Sequence, residues 1–328
     1  MASDTAFSRI LASPWALAPD RDGTRLSKIL TIAYPGCEDA KSARIAIYTM
    51  PVSVPRFLAS RIVRRLPRQQ ISRLMGQVCD RPLSPRVSRS IVGLYRRIYD
   101  VDMSDVLPRA TPYESFDTFF TRALIPGRRP ISDGPGQVVS PADGMLQSMG
   151  RIEAGCRIVV KGRPYDVARL IGDETEALSL LGGQYAVVYL SPRDYHRLHA
   201  PATGKVSLIR GICGDLFPVN ALGDHCTRAL LVENKRVVLR IETPDMGWIV
   251  LVLVGAFIVG RISVAMLSYR DVPEGIHVLS PPVDITRGDE VGAFHLGSTA
   301  VVLADPQAPC WQRPLGLIRV GESLVRFG

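Results

Sequence analysis

Six cysteines are scattered through 328 residues with no CxxC pair, so neither a zinc ribbon nor a dense disulfide framework is expected, and a reducing compartment is the natural setting. No apolar run is long enough to cross a bilayer as a helix. The longest, Trp248 to Gly260 (WIVLVLVGAFIVG), is rich in Val and Ile with internal glycines and reads as a buried strand with a bend, so membrane attachment is expected to be peripheral. The stretch from Ile10 to Ala18 is broken by Pro14 and preceded by Asp4 and a lone Arg9, which makes a weak secretory signal, and the chain is expected to be retained. Neither HExxH nor a recognised nucleic-acid module occurs. Disorder and fibrous repeats are excluded by an ordinary folded composition, 46% hydrophobic and 22% charged.

What the chain has in excess is positive charge. A net charge of +9 and a pI near 9.5 imply an anionic partner: nucleic acid, an acidic leaflet or an acidic substrate. The charge is concentrated. Between Arg56 and Arg97 eleven arginines face one acid, Asp80. Apolar residues in the same stretch keep helical spacing: Leu58/Ile62/Leu66, Ile71/Leu74/Met75/Val78, and Val87/Ile91/Leu94/Tyr95/Ile98. Pro67, Pro82 and Pro85 divide the run into short helices. Arginine-rich faces opposite apolar stripes suit a lipid interface, where apolar burial and attraction to anionic headgroups add. The plainer alternative, stripes turned to the protein's own core with solvated arginines, suits one such helix better than three in succession. Nucleic acid is disfavoured because few aromatics interleave.

The composition divides the chain into an extension of undetermined role (1–50), a basic amphipathic helical segment that associates with membrane (51–112) and a β-rich domain (113–328). Beyond residue 115 short Val/Ile runs alternate with Gly, Pro and Asp turns: RIVVKG, YAVVYLSP, GKVSLIRG, KRVVLRIET, WIVLVLVG and TAVVLAD. The expected class is α+β, with a β-rich sandwich or barrel-like catalytic domain preceded by amphipathic membrane-facing helices.

Single polar residues are ambiguous. Asp143 in SPADG is first a turn signal. His196 and His199 in DYHRLH have a spacing that metal ligands use, without a third ligand pattern, so no metal is expected. Ser298 follows Gly297 in HLGST and lacks the GxSxG of many serine hydrolases. An acid, a histidine and a serine together can nonetheless make a nucleophilic triad, and the acyl group nearest Ser298 in the chain is the Gly297 carbonyl.

SPADG, YLSPRDYHRLHAPATG, DLFPVN, VLVGAFIVG and VGAFHLGST, in this order, resemble phosphatidylserine decarboxylases, and the upstream IYDVDM and YESFDTFFTRALIPGRRPI look like the same family's leading segment. The resemblance covers roughly residues 50 to 305. It implies that Asp143, His199 and Ser298 form a self-cleaving triad and that the scissile bond joins Gly297 to Ser298. His199 would deprotonate Ser298, whose oxygen attacks the Gly297 carbonyl to give an ester. Elimination and hydrolysis would then leave a covalent pyruvate, the pyruvoyl group, at the new N-terminus. Its ketone would form a Schiff base with the substrate amine and act as electron sink, and His196 would return the proton to the α-carbon. Phe217 and Asn220 resemble the family's pocket segment. Phe257 stands where relatives often carry a smaller or polar residue, which bears on pocket shape. Large and small chains from one precursor, a homodimer, a phosphatidylserine substrate in an anionic phospholipid membrane, a peripheral position on the cytoplasmic face of the cell membrane and no nucleic-acid partner complete the expectation. The alternatives are a pyruvoyl enzyme for a soluble amino acid, an unprocessed β-rich membrane-binding module and, least favoured, a metal hydrolase using the two histidines.

Overall fold

The computed structural model describes residues 63, 65–219, 226, 227, 229–258, 260–295 and 298–325, with residue 298 described for its backbone alone. The chain divides between Val54 and Pro55, so the first unit falls outside the described residues, as do Leu58, Ile62, Asn220 and Gly297.

Two helices, α1 (Arg68–Asp80) and α2 (Pro85–Tyr99), follow the expected breaks at Pro67, Pro82 and Pro85. Pro85 occupies the first turn of α2, where its missing N–H has no helical partner to lose. Both helices bury their small residues: Ser72, Gly76 and Cys79 from α1, Ser88 and Val92 from α2. Small side chains let the backbone approach closely. Ser72 Oγ accepts from Ile258 N at 3.0 Å, and a Cβ on Gly76 would stand 3.2 Å from Arg261 Nε. The apolar stripe faces outward: Leu74 and Leu94 are each 59% exposed, and Val78, Val87, Ile91 and Ile98 are also exposed. A third helix, α3 (Phe116–Phe120), begins in a capping box between Ser115 and Thr118.

The rest is sheet. In chain order the strands are β1 (Gly144–Arg151), β2 (Arg157–Val160), β3 (Arg163–Asp166), β4 (Gln184–Leu190), β5 (Arg197–His199), β6 (Gly204–Ile212), β7 (Arg236–Glu242), β8 (Trp248–Val254), β9 (Arg261–Val264), β10 (Gly275–Ile285), β11 (Glu290–His295), β12 (Ser298–Ala304) and β13 (Gly316–Ile318). Eight form one antiparallel sheet in the order β10-β6-β7-β8-β12-β4-β1-β13, and β5, β11 and β9 form a smaller one. The large sheet is open, with β10 and β13 at its edges, so the architecture is α+β and mostly sheet, without closure into a barrel among the described residues. All six Val/Ile runs read from the sequence become strands, and WIVLVLV is β8, buried from Ile249 to Val254.

Alternation along β8 and β12 fills two cores. Leu251, Leu253, Ala300 and Val302 meet Leu198, Ile262 and Phe294 of the smaller sheet on one face. Val250, Val252, Val301 and Leu303 meet β2, β3 and the short helix α4 (Val167–Ile171) on the other. Each such Val, Leu, Ile or Phe side chain contributes about 1.5–3 kcal/mol by leaving water, which makes the centre of the large sheet a rigid base for what its ends carry.

Candidate active site

Strand register assembles the site at one end of the large sheet. Tyr189 of β4 pairs with Met145 of β1 on one side and with Thr299 of β12 on the other. One residue back in each outer strand, Gly144 and Ser298 flank Leu190, with Ser298 paired to it. Asp143 therefore stands two strands from Ser298, a backbone separation of about 10 Å. Glycine is required at 144 because a Cβ there would lie 2.3 Å from the Tyr189 carbonyl oxygen. From Leu190 the chain leaves β4 as SPRDYHRLH, which starts its path beside Ser298 and returns as β5. The His199 N–H donates to the Pro141 carbonyl at 2.9 Å, tying β5 to the SPADG turn.

The backbone thus brings Asp143 and Ser298 to one end of the sheet and ties His199 to the SPADG turn, and the side chains of Asp143 and His199 are bonded to other partners. His199 Nδ1 donates to the Gly288 carbonyl at 2.7 Å, and Nε2 lies 3.1 Å from the Tyr195 hydroxyl. A carbonyl only accepts, so Nδ1 carries the hydrogen and Nε2 is the basic nitrogen. Gly288 holds φ +92, a conformation that favours glycine, and this turn aims the carbonyl at the ring. Asp143 takes three contacts from Arg129, at 2.6 to 3.0 Å, and one from Val320 N at 2.8 Å. Arg129 also reaches Asp105 at 2.8 Å, so one guanidinium joins two carboxylates.

His196 is fully buried. Nδ1 donates to the Asp194 carbonyl at 2.8 Å, the ring lies 4.0 Å from that of Phe120, and Nε2 has no partner. Burial, then the positive charge of Arg122, push its pKa down to about 3 against the opposing pull of the Asp194 carbonyl, so the ring is neutral at neutral pH. Arg122 donates Nη2 to the Arg193 and Asp194 carbonyls at 2.9 and 3.1 Å and so braces the same turn.

Comparisons with known proteins decide what this arrangement belongs to. The family model for phosphatidylserine decarboxylase matches residues 116–326. The phosphatidylserine decarboxylase proenzyme of Bordetella pertussis is 38% identical over 289 residues, spanning 84% of this chain and 96% of the relative. That of Anaeromyxobacter sp. (strain K) is 37% identical over 271 residues, spanning 80% and 95%. That of Brevibacillus brevis is 36% identical over 269 residues, spanning 80% and 94%.

The chain belongs to the phosphatidylserine decarboxylase family.

Among the family motifs, the DLFPVN segment supplies Phe217, which is buried under the Arg68 guanidinium at 4.1 Å. Its backbone is held from both sides by Asn234 at 2.9 and 2.8 Å. Asn220 lies outside the described residues. Phe257 is half-buried in the turn after β8. Among the described residues no group of three or more His, Cys, Asp or Glu is placed to hold a metal ion.

Sequence reading passed over a second constellation. His295, the last residue of β11, directs Nδ1 at both Asp117 carboxylate oxygens (2.8 and 3.0 Å), while Nε2 lies 3.0 Å from Ser263 Oγ of β9. Arg261 and Arg270 also reach Asp117, at 3.2 and 3.3 Å. Burial raises the Asp117 pKa, but the hydrogen bond and charge of His295 and the two guanidiniums outweigh it, so the carboxyl is held below the usual range. The knot clamps the end of β11 to α3 and β9 at the first residue of the HLGS run. Its only sequence signal was that Asp117 and His295 fall inside quoted family motifs.

Proposed function

We propose that the chain is a self-processing, pyruvoyl-dependent decarboxylase that converts phosphatidylserine to phosphatidylethanolamine at a membrane surface. The observation that carries this reading is the place of Ser298 at the head of β12. The strand is paired along its length to β4 and, from Thr299, to β8. A chain cut before Ser298 keeps every one of those pairings, so the new N-terminus stays fixed beside the turn that carries His196.

Self-cleavage follows from residue chemistry. His199 Nε2, its tautomer set by the Gly288 carbonyl, takes the Ser298 hydroxyl proton. The oxygen attacks the Gly297 carbonyl, the C–N bond breaks and the amine is protonated, leaving an ester. Removal of the Ser298 α-proton expels the Gly297 carboxylate, and hydrolysis of the resulting enamine consumes one water and releases one ammonia. Asp143, held by Arg129 and Val320 N, keeps the SPADG turn against the His199 backbone and places negative charge near the imidazolium that forms.

The surroundings fit a pyruvoyl group, because the buried, unpartnered His196 Nε2 is a proton site with no structural use. When present, the group supplies a sink for the electrons left by departing carbon dioxide. His196 Nε2 delivers the proton to the α-carbon, for which it must first be charged. An anionic headgroup beside Arg122 offsets the smaller, Arg122 part of what keeps it neutral, burial being the larger part.

Membrane association is supported by the outward apolar stripes of α1 and α2 among arginines. No helix among the described residues is long and apolar enough to cross a membrane, which agrees with peripheral attachment. Among the described residues no cysteine is in a disulfide, which supports a reducing compartment and the cytoplasmic face. Exposed Ile276 and Val278 on the edge strand β10 support pairing with a second copy.

The test is release of carbon dioxide from vesicles containing phosphatidylserine, set against free serine at equal concentration. Release from the lipid alone is expected. Release from free serine but not from the lipid transfers the enzyme to the soluble amino-acid alternative.

A further inference from the structure

A cavity of about 160 Å³ lies beside α3 and outside the triad. Arg109, Arg122 and Arg197 line it together with Leu107, Tyr113 and Thr121, and no carboxylate is among its lining residues. Arg122 is 4% exposed, and its Nε and Nη1 have no hydrogen-bond partner. Its nearest compensation on that side is the Phe119 ring, 5.4 Å away. A buried guanidinium with two unused donors and no acid hydrogen-bonded to it, Asp194 and Asp143 acting only through their charge, is costly unless something supplies nearer negative charge. Burial accordingly lowers the Arg122 pKa. Arg109 stacks at 5.1 Å over Tyr113 and reaches Glu114 only at 3.6 Å, so its donors are largely free to turn inward. Arg197 is anchored by Nε to the Thr121 carbonyl at 2.7 Å and by Nη1 to Glu290 at 2.9 Å.

Two further observations say what kind of anion this is. First, Leu107 is 45% exposed, and Tyr113 packs with Val92 of α2, while the Ser88 hydroxyl of the same helix donates to the Tyr113 carbonyl at 2.6 Å. The cavity therefore adjoins the helix whose other face carries the exposed apolar stripe. Second, Arg197 and His199 alternate with buried Leu198 in β5, so they share one face of the strand, about 7 Å apart along it. A ligand that joins an anion to apolar chains meets both conditions, with its anionic part within one headgroup of His199.

We propose that the cavity bounded by Arg109, Arg122 and Arg197 seats the phosphodiester of a phospholipid headgroup, its acyl chains leaving past Leu107 toward the stripe on α2. That the lipid is the substrate rests on the decarboxylase reading; that the cavity binds a phosphate does not. Arginine suits the task because its planar donors match phosphate oxygens in pairs.

The test uses the processed enzyme with Arg109→Gln, Arg122→Lys and, as a control for general surface charge, Arg157→Gln at the exposed start of β2. Two readouts are taken: rates on short-chain phosphatidylserine below its micelle concentration, and the Tm shift given by inorganic phosphate against chloride at equal ionic strength. Arg109→Gln is expected to raise KM about tenfold, the weight of one charge-assisted hydrogen bond, with kcat within about twofold. It should also remove most of the phosphate shift, while Arg157→Gln changes neither. Arg109 is a surface residue, so the answer survives even if Arg122→Lys fails to fold. An unchanged KM overturns the headgroup assignment even if phosphate still raises Tm, because the site then takes free phosphate. If the wild type turns over no lipid, the decarboxylase reading falls, and the phosphate shift alone decides the cavity: lost in Arg109→Gln, the anion site stands; equal in both, it does not.

Discussion

The sheet and the two leading helices obey opposite rules. Along β8 from Ile249 and along β12 every apolar side chain is inside, split between two cores by strict alternation. Along α1 and α2 Leu74, Val78, Val87, Ile91, Leu94 and Ile98 are outside, Ile71, Met75 and Tyr95 are half-buried, and Ser72, Gly76, Cys79, Ser88 and Val92 are inside. The same sequence signal, an apolar stripe of the right period, thus marks a face turned to the protein's own core in one region and a face turned outward in the other. Period tells which residues act together, and the size of the residues on the opposite side tells which way the face turns.

The largest effect expected from breaking this contrast is in the sheet. Leu251→Ala, in the centre of β8, should cost about 2–5 kcal/mol in urea unfolding because the fully packed site cannot collapse. A cost under about 1 kcal/mol would show that the core is looser than its burial implies. Asp117→Asn tests the knot that joins the two regions. It leaves Arg261, Arg270 and His295 facing a neutral amide and should cost about 3 kcal/mol, while Asn keeps the volume. His196 sets a smaller, pH-dependent term. Its folded pKa of about 3 lies below the unfolded value, so the unfolded chain binds the extra proton between the two. Its stabilising contribution is complete above the unfolded value and falls as pH drops toward 3, by at most about 1.4 kcal/mol per pH unit. His196→Phe should flatten the stability profile across that window, and an unchanged slope would place the acid sensitivity elsewhere. The smallest effect on stability belongs to the helices. Ile91→Ser with Leu94→Ser should alter Tm by no more than a degree or two, because neither side chain is in the core, yet abolish flotation with anionic vesicles. A large loss of Tm with flotation intact would mean that the stripe is covered by protein.

The sequence showed what depends on neighbours in the chain. Six strands were legible as Val/Ile runs between turns, and α1 and α2 as periods cut by prolines. The strands β5, β9 and β11 were not, since RLH, RISV and EVGAFH are too short and mixed to show a period. At the site, family motifs singled out Asp143, His199, Ser298 and His196, and strand register explains how distant segments meet. The partners of those residues were illegible. The bond from Gly288 to His199 is set by the turn between β10 and β11, 89 residues along the chain, and Arg129 was one arginine among many. The contact between Asp117 and His295 spans 178 residues, which no local pattern records. The cavity beside α3 was equally hidden, because Arg109, Arg122 and Arg197 come from three separate segments.

The central claim is that the chain makes its own reactive group at Ser298, and an intact mass spectrum of the purified protein tests it most directly, beside a Ser298→Ala variant that lacks the attacking hydroxyl. The account predicts a wild type divided into a chain ending at Gly297 and a chain of residues 298–328 whose mass reports a pyruvoyl in place of serine, with the variant whole. Wild-type and variant chains that both stay whole while folded would contradict it and leave a β-rich membrane-binding protein as the better description.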